Sequence, residues 1–153
     1  RFFYVMRGND QHLDFDLDLA KSESNENPVY YIQYAHARIA SIFRQASEKG
    51  YAWNRTAAEA ARTRLGEPQE NALITELMRF PEVVQAAAQQ RAPQIVANYL
   101  RELAAGFHAF YNALPILIAD EELRHARLGL CAATRQVLAN GLALLGVSAP
   151  ESM

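Results

Sequence analysis

Apolar residues return at three- and four-residue spacing in several long blocks, and four of these stand directly behind a proline: Pro28, Pro68, Pro81 and Pro93. A first helical turn tolerates the missing N–H of proline, so each predicts a helix start. The first block is the clearest. Asn27 can cap, Pro28 follows it, and Gly50 lies where a left-handed stop is expected, which predicts a helix over about 28–49. Within it Val29, Ile32, His36, Ile39 and Phe43 form one stripe expected to face a core. Further helices are predicted over about 69–79, 82–91 and 94–112. The last runs from about Asp120 to Leu145, with Asp120, Glu121 and Glu122 at its positive amino end and Gly146 beyond its close. The pattern predicts an all-α fold, a helical bundle.

Two stretches carry a weaker signal. Strict alternation occurs from Leu13 to Leu19 and leads into the polar cluster 22–27, which leaves that segment's type open. The Ala/Arg-rich stretch from Thr56 to Leu65 has no strong apolar stripe and reads as a loop with a marginal exposed helix. There is no internal repeat.

With 153 residues, half of them hydrophobic, one domain with an ordinary core is expected. The net charge of −2 excludes a basic nucleic-acid wrapper and an acidic disordered tail, and non-specific binding to DNA is not expected. The charge is uneven: residues 1–26 carry three basic and six acidic groups, and the remainder is close to neutral. One cysteine, Cys131, excludes an internal disulfide framework and points to a reducing, cytoplasmic setting. The longest apolar run, Ala113 to Ala119, contains Pro115 and is too short to span a bilayer. The opening Arg1-Phe2-Phe3-Tyr4 shows neither an initiator methionine nor a signal-peptide pattern, and predicts a segment of a longer chain.

Most candidate chemistry fails on its own requirements. Asp14, Asp16 and Asp18 imitate the opening of a calcium loop, but Leu19 stands where glycine is required and Asn25 where a bidentate glutamate is expected. Glu122-x-x-His125 suits one half of a carboxylate diiron site, and no second Glu-x-x-His exists. His125 is therefore expected to be a half-buried or surface helix residue. Cys131 lies mid-helix among alanines, where a thiol acts as a small core group. No catalytic residue, metal or cofactor is assigned to these residues, and no glycine-rich phosphate loop occurs.

What remains is an aromatic and basic constellation. At 100° per residue the apolar stripe of the first helix clusters within about 80°, while Tyr31, Tyr34 and Arg38 share a face roughly 130° away. Two tyrosines and an arginine on an exposed helix face can stack unpaired bases and contact a phosphate, at about 1–3 kcal/mol per stacked base. Tyrosine also dominates protein interfaces, so spacing alone leaves a helical protein-interaction domain as the alternative.

The segments His12–Ala20 and Ser24–Arg38 closely resemble the region beyond the catalytic core of bacterial arginyl-tRNA synthetases. The resemblance continues through Gly66–Glu70, Arg79–Glu82, Phe107–Asn112, Arg127–Leu130, Val137–Leu142 and Leu144–Glu151, and so covers nearly the whole chain. It implies a helical anticodon-binding (DALR-type) domain over 28–153 and a connector from the catalytic domain over 1–27. It also implies a parent enzyme of protein biosynthesis that joins arginine to its tRNA with ATP and Mg, in the cytoplasm, at a site outside these residues. The signatures resembling His-Ile-Gly-His and Lys-Met-Ser-Lys are absent here. The partners implied are the anticodon loop of arginine tRNA and the parent catalytic domain. Residue by residue, Tyr31, Tyr34 and Arg38 fall on positions that line the anticodon loop, Tyr111 on a further aromatic position, and Met153 on a terminal methionine that reaches the same loop. Asn27 and Gln33 match the motif in structural roles. Ser152 departs from the arginine of the family's terminal Pro-Glu-Arg-Met, so that side chain's ion pair is not expected.

Overall fold

The computed structural model describes residues 1–7, 15–24 and 26–153. Among these the regular elements are helical: α1 (Phe2–Val5), α2 (Leu17–Lys21), α3 (Pro28–Glu48), α4 (Arg55–Ala60), a 3₁₀ turn at Arg62–Arg64, α5 (Pro68–Met78), α6 (Phe80–Gln90), α7 (Gln94–Ala113) and α8 (Glu121–Leu144). No strand occurs among the described residues. Of the alternating segment, the described part ends in α2, because the Asp16 side chain accepts from the Leu19 N–H and caps a helical turn. Leu13, and with it Asp14 and Asn25 of the failed calcium loop, lies outside the described residues.

α3, α7 and α8 pack on one another, with α5 and α6 against α7 and α4 against α8. Ile32, Ile39, Leu100, Leu103, Phe107, Phe110, Leu128, Leu138 and Leu142 are fully buried where they meet. Because α3 touches both α7 and α8, it buries more than the predicted stripe: Ala35, Ala37, Ala40, Ile42 and Ala46 are inside as well. Val29 and Phe43, at the ends of the stripe, are only partly buried. Asn27 caps α3 through Oδ1, which accepts from Val29 and Tyr30 N–H. Its Nδ2 donates to the Ala20 and Ser22 carbonyls and so ties the preceding segment to the helix. Gly50 and Gly146 close α3 and α8 in the left-handed conformation, at φ 74° and 66°.

The stretch 56–65 is more than a marginal exposed helix. Ala58 and Ala61 are buried, and a Cβ added at Gly129 of α8 would stand 2.9 Å from the Ala58 Cβ. This is close backbone packing of small residues, which leaves no apolar stripe to read. Arg64 then forks onto Asp120 and Glu122 at 2.6 and 2.7 Å and ties this corner to the start of α8. α5 is joined to α8 by a buried pair. The Glu70 Oε1 accepts from Arg127 Nε at 2.7 Å, its Oε2 accepts from Gly66 and Glu67 N–H, and Arg127 donates on to the Pro115 carbonyl. Burial alone would push the Glu70 pKa up. The backbone N–H of Glu67, the Arg127 guanidinium and the Gly66 N–H outweigh it and hold the carboxyl below its ordinary value.

Candidate functional site

The site is a groove between α3 and α7, and helical spacing on both helices supplies its walls. On α3, Tyr30 and Tyr34 are four residues apart and their rings stack, 6.2 Å between centroids and 6° from parallel. One turn further on, Arg38 donates to the Tyr34 hydroxyl at 2.8 Å. On α7, His108 and Tyr111 are three residues apart and face α3. The His108 ring lies 4.9 Å from that of Tyr31 and 5.8 Å from that of Tyr34. The Arg38 guanidinium is 4.7 Å from the Tyr34 ring centroid and 4.5 Å from that of Tyr111, so two aromatic rings hold one cation.

The third wall is the segment after α8. Gln33 Nε2 donates to the Ser148 carbonyl at 2.8 Å, His36 Nδ1 donates to the Pro150 carbonyl at 2.7 Å, and Arg44 donates to the Glu151 carbonyl at 3.0 Å. The Arg135 guanidinium pairs with the Glu151 carboxylate. Three side chains of α3 thus lay the segment along that helix while Arg135 of α8 holds it from the other side, and it ends with Met153 lining one hollow with Tyr34, Arg38 and Tyr111. Gln33 holds the structural role expected of it. His36 is turned inward with the core stripe, and its burial serves this strap.

Two hollows result, meeting at Tyr34 and Arg38. One, of about 560 Å³, is lined by Glu23, Tyr30, Tyr31, Tyr34, His108 and Asn112 among others. The other, of about 300 Å³, is lined by Tyr34, Arg38, Arg44, Tyr111 and Met153. Aromatic walls, tyrosine hydroxyls, an amide and a guanidinium suit a flat group with a polar edge, or an anion beside one. His108 is buried, and burial first, then the Arg38 charge, lowers its pKa to about 4, so the ring is neutral near pH 7.

Helical counting placed Tyr31, Tyr34 and Arg38 away from the core, on an exposed face. The structure places Tyr31 in one hollow with Tyr34 and Arg38, and Tyr34 and Arg38 with Tyr111 and Met153 in the other, but the face is half-buried: α7 passes alongside it, and Tyr31 packs against the edge of the core. Tyr111 is 36% exposed and Met153 53%. Counting missed His108, Tyr30 and Asn112. His108 was within reach, being three residues before Tyr111 and so on the same face of α7. The other chemistry stays apart. Glu122 is engaged by Arg64, His125 is partly buried beside Glu121 at 3.7 Å, and burial pushes the Cys131 thiol pKa up, which suits a core group. No group of three or more metal-ligating side chains was found among the described residues, and no helix there is long and apolar enough to cross a membrane.

The family model for the DALR anticodon binding domain matches residues 32–153, which takes in the lining of the groove except Glu23, Ser24, Tyr30 and Tyr31. The chain belongs to this family. Over all 153 residues it is 64% identical to an arginine–tRNA ligase of Halorhodospira halophila and 57% identical to one of Thioalkalivibrio sulfidiphilus. In each case it spans 26% of the relative's length. Among solved structures it superposes on the arginyl-tRNA synthetase of Thermus thermophilus with a TM-score of 0.84 at 39% identity, covering 99% of this chain and 25% of that one. The all-α bundle is thus the fold of the DALR family.

Proposed function

We propose that this chain is the anticodon-binding part of an arginine–tRNA ligase and that it holds the anticodon loop of arginine tRNA in the α3–α7 groove. The observation that carries the reading is the Arg38 guanidinium held against Tyr34 and Tyr111 at the meeting of the two hollows. Tyr31, Tyr34 and Tyr111 stack bases of the unwound loop, Arg38 contacts phosphate or a base edge, and Met153 closes the groove from the strap. Residues 28–153 form the binding domain and residues 1–27 the connector to a catalytic domain. That domain takes arginine and ATP with Mg, and docking the loop here aligns the distant acceptor end with it. The setting is the cytoplasm.

Every arginine codon has G in its middle position, so every arginine anticodon has C there, and a pocket for one splayed cytosine reads all isoacceptors. The near-neutral charge of the bundle means that stacking and shape supply most of the affinity, with much of the phosphate grip on the rest of the ligase. The test is a titration of fluorescent anticodon stem-loops at low and moderate salt. The loop with the middle C is expected to bind more tightly than one with A, and the preference is expected to vanish in Tyr31→Ala and Tyr34→Ala. Equal binding of both loops, or none at low salt, would remove base recognition from this domain and leave the groove to a protein contact.

A further inference from the structure

His108 lies beneath the aromatic face of α3, and its Nδ1 is 3.3 Å from a terminal nitrogen of Arg38. A guanidinium has donors and no acceptor, so this bond runs in one direction: Arg38 donates and Nδ1 accepts. The lone pair of Nδ1 is thereby used, and the ring hydrogen of the neutral imidazole sits on Nε2. Nε2 is buried and meets no partner in full hydrogen-bond geometry, although the Tyr31 backbone carbonyl lies near enough to the ring to favour a ring N–H. The same ring is in contact with Tyr31 and Tyr34, so one α7 side chain backs three of the α3 residues assigned to RNA.

Resting on the RNA reading above, we propose that His108 is the positioning residue of this groove: its neutral imidazole holds the Arg38 guanidinium, through Nδ1, in the slot between Tyr34 and Tyr111. A free arginine side chain samples many rotamers and loses that freedom when it binds. Here the loss is met in folding, before any ligand arrives, and binding to a pre-set guanidinium is stronger for it. Protonation would set an Nδ1–H against the guanidinium N–H, donor facing donor and cation facing cation. The groove works against that state, since burial and then the Arg38 charge depress the His108 pKa, with the Tyr31 backbone carbonyl opposing them more weakly.

Two measurements test this. On the ¹⁵N-labelled, unsubstituted chain, long-range nitrogen–proton correlations of the imidazole read the tautomer directly, with no RNA present. The hydrogen is expected on Nε2, and a hydrogen on Nδ1 would overturn the assignment. In stem-loop titrations, His108→Asn keeps an acceptor near the Nδ1 position and is expected to bind within about threefold of the parent, whereas His108→Leu keeps bulk without an acceptor and is expected to lose about tenfold or more. His108→Leu added to Arg38→Ala is expected to cost nothing further. Parent-like binding by His108→Leu, or no rescue by His108→Asn, would overturn the proposal while leaving the RNA reading in place. A parent chain that ignores the loop would overturn both.

Discussion

At the scale of single residues the groove is organised around Arg38, and substitutions there separate charge from geometry. Arg38→Lys keeps the charge but has neither the planar face that lies against Tyr34 and Tyr111 nor the fork that reaches the Tyr34 hydroxyl and His108 together. Both Arg38→Ala and Arg38→Lys are expected to weaken stem-loop binding by about tenfold or more, with helix content unchanged by circular dichroism. Full binding by the lysine variant would mean that the site needs a positive charge and no more. His108 carries a pH prediction as well. Facing it are Arg38, Tyr31 and Tyr34 from α3, and Glu23 lines the same hollow. Its folded pKa of about 4 lies below the ordinary 6.5, so between these values the unfolded chain takes up a proton that the folded chain refuses. Its contribution to stability is therefore complete above about pH 6.5 and is lost as the pH falls toward 4. Urea unfolding at about pH 7 and about pH 4.5 is expected to show a smaller acid loss in His108→Asn than in the parent. Equal losses would mean that the imidazole is not held neutral.

At the scale of elements, the helices were legible in the chain and their neighbours were not. Asn27 with Pro28, Asp120 and the left-handed glycines Gly50 and Gly146 announce ends by local chemistry, and the structure uses each of them where the chain predicts. The stretch 56–65 was unreadable because Ala58 and Gly129 are 71 positions apart in sequence and signal their contact only by being small. Likewise the angles along α3 separate its faces without saying that α7 covers one of them, which is why an exposed ladder turned out to be the wall of a groove. Two predictions belong here. Gly129→Ala is expected to destabilise the fold by about 1–3 kcal/mol through the clash with Ala58, and Ala58→Gly in the same chain is expected to return part of it. Breaking the buried Glu70–Arg127 pair by Arg127→Ala is expected to cost about 3–5 kcal/mol in denaturant unfolding, because Glu70 is left buried without its counter-charge. A loss below about 1 kcal/mol would mean that water replaces the guanidinium.

At the scale of the whole molecule, helices far apart in sequence converge on one surface. α3 supplies Tyr31, Tyr34 and Arg38, α7 supplies His108 and Tyr111, and the strap brings Met153 from the far end of the chain. Beyond the structural role that family resemblance implies for Gln33, the bonds that hold the strap were not readable, since His36 and Arg44 of α3 and Arg135 of α8 meet the 148–151 stretch only in the folded state. Met153 and Tyr111 were assigned through family resemblance, and geometry now gives them a common neighbour in Arg38. The most direct test of the central claim is to map contacts in solution, by following amide, aromatic and methionine methyl resonances as a stem-loop with an arginine anticodon is added. The account predicts that the perturbed signals cluster at Tyr31, Tyr34, Arg38, His108, Tyr111 and Met153. Perturbations centred elsewhere, at exposed Tyr4 and Phe15 or on the outer face of α8, with the groove unmoved, would contradict it.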